Sequence, residues 1–270
     1  MAQALKKLVF FAAFLISTQG FAQVVIPGHA HNDYLNKPAL FEALDAQLIS
    51  VEADIHFMKD DLYVAHVRPL WRNKKRSLEN LYLKPLFDHV QKNGGKVYPN
   101  YDGPFYLMID FKEGSVEMFN RLVELLEKYK EMLTVMENGI LKPGAVTVFL
   151  SGSRPHQAVA DAEPRLCFLD GRPNDLEKQI PAELMPVISD HYKNHLNWNG
   201  NGEMPEDQKL KLRKLISKVH AESKKLRLWA SPDKPNAWAT FKALGIDFIN
   251  TDKPKKFKEE FFRCYGTPPF

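Results

Sequence analysis

Apolar residues along this chain gather into short runs separated by polar or helically patterned stretches. The runs fall at residues 24–27, 49–57, 105–111, 146–150, 165–169, 185–189, 226–230 and 247–250, each of strand length. Between them, residues 39–46, 116–135, 206–220 and 237–244 carry apolar side chains at three- and four-residue intervals, which predicts helices. Strand and helix alternating over this length favour a parallel sheet, and eight such units predict an α/β fold, a single (β/α)8 TIM-type barrel rather than an open doubly wound sheet. Asn93, Gly94 and Gly95 mark a turn, and residues 197–205, rich in Asn and Gly around Trp198, read as a surface loop. No linker or internal repeat divides residues 23–270, which are read as one domain.

The second run is interrupted by acids. Glu52 and Asp54 alternate with Val51, Ala53 and Ile55. Strand side chains alternate with a period of two, so both carboxylates share one face with His56. Two negative charges that close repel, and burying them is costly unless a cation or hydrogen bonds compensate. A divalent metal is the simplest compensation. The third run delivers Asp110 and, two residues on and on the same side, Lys112. Glu52, Asp54 and Asp110 make an oxygen-rich set suited to Mg²⁺ or Ca²⁺, and Lys112 beside them can take a phosphate oxygen as a point charge. His29 and His31 close the first run, and His66 follows a short apolar run at 62–65 entered through the turn at Asp60 and Asp61. Histidines flanking such a site supply what phosphodiester cleavage asks for, a general base for the attacking hydroxyl and a general acid for the leaving oxygen. All of these residues fall where a barrel keeps its chemistry, at the C-terminal ends of strands.

Composition adjusts this picture at the edges. Lys6 and Lys7 precede an apolar run from Leu8 to Ile16, with Gly20 and Ala22 at the small-residue positions of a cleavage site. That is the pattern of a secretory signal peptide over residues 1–22, too short in its apolar part to span a bilayer, so the chain is expected to be secreted or periplasmic. Its removal takes away two lysines and no acids, so 37 basic and 33 acidic residues become 35 and 33, a net charge of +2. That balance does not suggest nucleic acid as a partner. The basic clusters at 72–76 and 253–258 read as solvated faces, with anionic headgroups as the alternative. The patch Trp71, Arg72, Leu78, Leu81, Tyr82 and Leu83 mixes basic and apolar groups and reads either as a peripheral membrane contact or as loop and helix packed on the barrel. Cys167 and Cys264 permit a disulfide without requiring one.

At these residues the chain resembles a known superfamily. Glu52-x-Asp54 with His66 fourteen positions later looks like the signature of the phospholipase C-like phosphodiesterase barrels. These include the glycerophosphodiester phosphodiesterases, the phosphatidylinositol-specific phospholipases C and the spider-venom sphingomyelinase D enzymes. His31-Asn32-Asp33-Tyr34 resembles the Ser-His-Asn-Thr-Tyr segment of eukaryotic phospholipases C, which implies a catalytic role for His31 and a metal-ligand role for Asn32. Asp110-Phe111-Lys112-Glu113-Gly114-Ser115 resembles the Asp-Leu-Lys-Thr-Gly segment of the venom enzymes, which implies metal ligation by Asp110. Residues 244–254 look like the last strand and loop of the glycerophosphodiesterases. The opening His-x-His-Asn-Asp-Tyr with Val51-Glu52-Ala53-Asp54 is most similar to the branch related to the yeast protein altered inheritance of mitochondria 6. One departure matters: glycerophosphodiesterases open with His-Arg-Gly, and here Ala30 stands where the arginine would be. Alignment on Gly28-His29 makes His29 catalytic, whereas alignment on His31-Asn32 makes it His31; the Asn32 match favours the second.

The expectation is therefore an exported, metal-dependent phosphodiesterase acting as a monomer on a small-molecule or lipid diester. A His-x-His at the end of a first barrel strand also fits amidohydrolase- and histidinol-phosphatase-type barrels, which need further histidines; His156, His191 and His195 are the candidates. A barrel that binds phosphate or lipid without turnover is the third reading. His56 reads as a hydrogen-bonded rim histidine. Trp229 either walls the substrate pocket or packs in the barrel mouth, and Ser151, Gly152 and Ser153 either turn the chain or donate to a phosphate.

Overall fold

The computed structural model describes residues 25–265, so the expected leader at 1–22 lies outside the described residues. Its first half runs β1 (Ile26–Ala30), α1 (Phe41–Asp45), β2 (Leu48–Met58), β3 (Asp61–Val64), α2 (Lys84–Lys92), β4 (Phe105–Phe111), α3 (Val116–Glu127), β5 (Val135–Glu137) and β6 (Ile140–Lys142). The second half runs β7 (Val146–Gly152), α4 (His156–Asp161), β8 (Phe168–Gly171), β9 (Val187–His191), α5 (Glu206–Ala221), β10 (Lys225–Trp229), α6 (Pro235–Leu244), β11 (Ile249–Thr251) and α7 (Pro254–Tyr265). Eight strands pair in parallel in the order β10-β9-β8-β7-β4-β2-β1-β11. β10 and β11 meet through one bridge, Arg227 to Phe248, with the Phe248 N–H donating to the Leu226 carbonyl at 3.1 Å. The sheet is a nearly closed barrel, as the alternation of runs predicts.

All eight expected strands are present, but their ends are displaced. β1 runs on to Ala30, β8 to Gly171 and β9 to His191, beyond the apolar runs. The extensions carry His29, Asp170, Asp190 and His191, whose polarity hides them from a reading based on apolar runs. The expected helix at 116–135 is corrected: α3 stops at Glu127, and a separate hairpin of β5 and β6 follows. Asn138 and Gly139 turn that hairpin with φ of 53° and 73°, the geometry Asn-Gly favours in two-residue turns. Lys59 and Asp60 do the same between β2 and the antiparallel β3, and that hairpin carries the chain to His66.

Two apolar layers hold the barrel. Val51, Ala53, Ile55, Leu107, Ile109, Val148 and Leu150 belong to the layer between strands and helices, where helices such as α3 bury one face, Met118, Leu122, Leu125 and Leu126. Ser115 caps α3, its Oγ accepting the Met118 N–H at 3.0 Å. A second cluster of Tyr106, Met108, Phe149, Phe168, Val187 and Phe248 forms a separate core, with Tyr106 and Phe248 edge-to-face at 4.9 Å. Further along the same strands the buried residues turn polar: Ser151, Asp170, Ser189 and Asn250, with His29, Ser50, Glu52 and Arg227 beside them. The aromatic plug thus makes a dry floor, and the polar layer above it opens at the strands' C-terminal ends. Cys167 and Cys264 are both free, and burial pushes the Cys167 thiol up to about 12.

Candidate active site

Register places the carboxylates. Asp54 on β2 pairs with Asp110 on β4, and Glu52 lies two residues below Asp54 on the same side. Asp54 is fully buried, and three groups converge on its Oδ2: Lys112 Nζ at 2.7 Å, the Tyr34 hydroxyl at 2.7 Å and His66 Nδ1 at 3.0 Å. Lys112 Nζ also holds Asp110 Oδ2 at 2.6 Å. Burial works against the Lys112 charge, but the two carboxylates outweigh it and its pKa is raised. Asp110 is raised as well, burial exceeding the pull of Lys112.

Glu52 is compensated by a residue not foreseen. Arg227, buried in the middle of β10, donates to Glu52 Oε2 at 2.9 Å and to Asn250 Oδ1 at 3.0 Å. Burial raises the Glu52 carboxyl, but Arg227 and His29 overcome it and hold Glu52 well below the usual carboxylate range. The signal was available: an arginine between Leu226 and Leu228 in a barrel strand points inward by the same alternation that aligned Glu52 with Asp54. Tyr34 and Asp252 were also missed as site residues. A tyrosine is ordinary core material, and Asp252 lies beyond the final apolar run.

The two candidate histidines of β1 have separate tasks. His29 is completely buried, with Nδ1 2.8 Å from Ser50 Oγ and Nε2 3.3 Å from Glu52 Oε2. Burial, aided by Arg227, pushes its pKa down to about 3, so it is a neutral ring fixing Glu52. His31 stands at the rim of the cavity. Its Nδ1 lies 2.7 Å from Asp252 Oδ1, which fixes the N–H on that nitrogen and leaves Nε2 as an acceptor 3.9 Å from Glu52 Oε2. Burial opposes protonation of His31, but Asp252 and Glu52 prevail and its pKa is raised. His66 lies across the carboxylates, half exposed beside Asp54. Asn32, in a left-handed backbone conformation, sets Oδ1 2.6 Å from the Tyr34 hydroxyl and so reaches the cluster through Tyr34. His31 thus stands beside Glu52 and His66 beside Asp54.

A cavity of about 270 Å³ opens on this cluster, lined by His31, Glu52, Asp110, Lys112, Arg227 and Trp229 among others. Trp229 thus walls the cavity, and its ring meets His191 edge-on at 4.3 Å. Ser151 also reaches the lining, but its hydroxyl is spent on Asp170 at 2.7 Å. Asp170 in turn anchors Arg172 at 2.8 Å, and Arg172 faces the cavity. His56 Nδ1–H donates to Glu113 at 2.8 Å, outside the cluster. His195 binds Asp190 at 2.7 Å and His191 accepts the Lys193 N–H, while His156 opens α4 outside the cavity lining, so none of the three joins the carboxylate cluster.

The donors suit a hard cation in their chemistry. Asp54 Oδ1 is buried with no hydrogen-bond partner, an orphaned oxygen of the kind a cation or ordered water satisfies. Every contact on Glu52 falls on Oε2, which leaves Oε1 for the cavity. Among the described residues no three His, Cys, Asp or Glu side chains already stand in a ligand grouping. Lys112 instead bridges Asp54 and Asp110 as their common ion-pair partner.

A family model described as the AIM6-like phosphodiesterase domain matches residues 20–170, a span that includes His29, His31, Asn32, Glu52, Asp54, His66, Asp110 and Lys112 and stops short of Arg227 and Asp252. The altered inheritance of mitochondria protein 6 homolog of Arthroderma benhamiae is 28% identical, the match covering 88% of this chain and 84% of that one. Altered inheritance of mitochondria protein 6 of Saccharomyces cerevisiae is 26% identical over 84% of this chain and 68% of its own. Among solved structures, an Oleispira antarctica phosphodiesterase in complex with the product sn-glycerol-3-phosphate gives a TM-score of 0.54 at 12% identity, covering 89% of this chain and 97% of that one. At that identity the likeness is one of fold.

Proposed function

Because the chain belongs to the AIM6-like phosphodiesterase domain family, we propose that it is an exported, metal-dependent enzyme that cleaves a glycerophosphodiester or a phospholipid headgroup linkage at the mouth of its barrel. The observation that carries this reading is the placement of His31 and His66 on either side of Glu52, Asp54 and Asp110. His31 Nε2 takes the proton of the attacking hydroxyl, with Asp252 holding the tautomer and stabilising the imidazolium as it forms. His66 gives a proton to the departing oxygen. One P–O bond forms as another breaks, and Lys112 and Arg227 neutralise charge on the phosphorane oxygens. Glu52, Asp54 and Asp110, with Asn32 beside them, would hold Mg²⁺ or Ca²⁺, which supplies Lewis-acid polarisation of a non-bridging oxygen. A substrate with a neighbouring hydroxyl, such as glycerol or inositol, attacks internally through a cyclic phosphate; otherwise water attacks.

The test is turnover of bis(p-nitrophenyl) phosphate and glycerophosphocholine with Mg²⁺, Ca²⁺ or EDTA. Wild type is expected to work only with a cation, and His31→Ala to lose about 10²–10⁴-fold in kcat. Asp252→Asn lowers kcat and moves the acid limb of the pH profile to lower pH, because Asp252 helps to raise the His31 pKa. Undiminished turnover in His31→Ala sinks the assignment. Silence on every diester with every cation leaves a phosphate-binding barrel instead.

A further inference from the structure

The chain leaves β3 at Val64 and does not rejoin a helix of the barrel wall until Glu79–Leu83, which runs on into α2, and the loop between them, which carries His66, is built unlike the rest of the surface. Val67, Leu70 and Trp71 are 75, 89 and 74% exposed, and Leu35, beside the buried Tyr34, is 66% exposed. Isolated apolar residues on a surface need no explanation, but three within five positions beside a candidate catalytic histidine do. The membrane patch foreseen from the sequence is corrected in its membership: Leu78, Tyr82 and Leu83 are fully buried core, and only the loop tip faces outward.

Hydrogen bonds hold the tip out. At one end Arg68 donates to the Phe57 carbonyl at 3.0 Å and pairs with Glu113. At the other, Arg76 donates to the Val64 carbonyl at 3.2 Å and reaches the Tyr34 carbonyl at 3.5 Å. Asn80 Nδ2 donates to the Lys74 carbonyl at 2.8 Å, and Asn73 Oδ1 accepts the Lys75 N–H at 3.1 Å. Both ends are thus pinned to the hairpin that bears His66, while the apolar tip has no wall to pack on. Charge is segregated here too. Residues 62–78 contain Arg68, Arg72, Lys74, Lys75 and Arg76 and no acid, in a chain that is otherwise nearly balanced. With Arg68 and Arg76 committed to anchoring, Arg72, Lys74 and Lys75 flank the tip and are exposed.

We propose that this loop is a membrane-docking device: Val67, Leu70 and Trp71 enter the headgroup layer of an anionic phospholipid bilayer, and Arg72, Lys74 and Lys75 sit against its phosphates. Tryptophan favours that interface, and a small apolar insertion combined with a basic cluster gives the two signals that reversible anchoring needs. A tip of three apolar residues is far from the roughly 20–30 residues a side of a stable protein interface, and a cationic ring without acids complements a lipid surface better than a mixed-charge protein. Docking would set His66 at the lipid plane, so the diester it meets is a membrane phospholipid. That last step rests on the phosphodiesterase reading; the docking itself does not.

The experiment reads docking without substrate turnover. Full-length protein is mixed with vesicles of pure phosphatidylcholine or rich in phosphatidylglycerol, some with brominated acyl chains. The N-terminal apolar run can itself seek lipid, so the readout is local: Trp71 emission, taken as wild type minus Trp71→Phe. A blue shift and bromine quenching confined to the phosphatidylglycerol vesicles are expected. Leu70→Ser should weaken the affinity read from that shift by about tenfold. Lys74→Glu with Lys75→Glu should weaken it by about fivefold or more per charge removed, and salt should act in the same direction. Melting temperatures of the variants check that each remains folded. An unchanged Trp71 spectrum on anionic vesicles overturns the proposal, as does an equal response on phosphatidylcholine or a concentration-dependent dimer that Leu70→Ser dissolves.

Discussion

Burial favours the neutral form of two groups four residues apart and so shifts their pKa values in opposite directions. Burial, with Arg227 nearby, lowers His29 from 6.5 to about 3, and burial raises Asp33 from 3.8 to about 6 against the Leu40 N–H and Tyr82 hydroxyl that it accepts. Stability follows the difference in bound protons between unfolded and folded chains. For His29 the unfolded state holds the extra proton, so its contribution is complete above pH 6.5 and is lost as pH falls toward 3. For Asp33 the folded state holds it, so its contribution is complete below pH 3.8 and is lost as pH rises through 6. Between those limits the two slopes oppose each other. Urea unfolding of His29→Gln is therefore expected to show stability falling as pH rises through the overlap. Asp33→Asn should show it rising, with a ceiling near ~1.4 kcal/mol per pH unit. Parallel pH profiles for both variants and wild type would contradict the assignment. Legibility at this scale depended on how unusual a residue is where it sits. Acids within an apolar run announce themselves, so Glu52 and Asp54 were readable, and Arg227 was equally so by the same rule. The strand pattern alone does not separate His29 from His31, which only the Asn32 resemblance favoured, because depth inside the barrel separates them and a strand's own pattern does not encode depth.

Elements set the distances between those residues, and the turn after β7 shows how tightly. Gly152 has φ of 65°, and a Cβ there would stand 2.4 Å from the Phe111 carbonyl oxygen and 2.7 Å from Asp110 Oδ1. Gly152→Ala must therefore move the end of β4 and with it Asp110. A loss of about 1–3 kcal/mol in chemical denaturation is expected, together with a fall in turnover. Gly139→Ala is the control. Its φ of 73° imposes similar backbone strain, but nothing lies within 4 Å of the new carbon and the β5–β6 turn is remote from the cavity. Equal turnover losses in the two variants would show that strain alone, and not the displacement of Asp110, lowers activity. The same ends of strands were the part of the fold that the sequence concealed. Strand centres declare themselves by apolar runs, whereas β1, β8 and β9 finish in His29, Asp170 and His191, which look like loop residues until their neighbours are known. The β5–β6 hairpin escaped for a different reason, since its two strands of three residues each are too short to register as apolar runs.

The barrel as a whole brings Glu52 to Arg227 and His31 to Asp252, contacts between opposite ends of the chain, and concentrates charge where they meet. Glu52, Asp54 and Asp110 contribute three negative charges, and Arg227 and Lys112 return two positive ones. With Arg172 cancelled by its partner Asp170, these groups leave one excess negative charge at the mouth, which would repel a phosphodiester monoanion. One divalent cation held there would reverse the balance to a single positive charge, the complement of the proposed substrate, so the same ion would serve attraction as well as chemistry. Because a cation bound only by the folded chain stabilises it, Mg²⁺ or Ca²⁺ at about 100-fold over its Kd should add ~2.7 kcal/mol, a rise in Tm of roughly 5–10 °C for a domain this size. Asp54→Asn removes the orphaned oxygen's charge and should abolish that rise. Lys112→Met works the other way: it deepens the negative excess and frees Asp110, so the cation should bind more tightly while turnover falls. Opposite movement of affinity and rate in one variant would separate the ion's binding site from the lysine's part in catalysis. A wild-type melting point indifferent to both cations, before and after EDTA, would remove the metal from the mechanism and leave Lys112 and Arg227 as the charges that receive the phosphate.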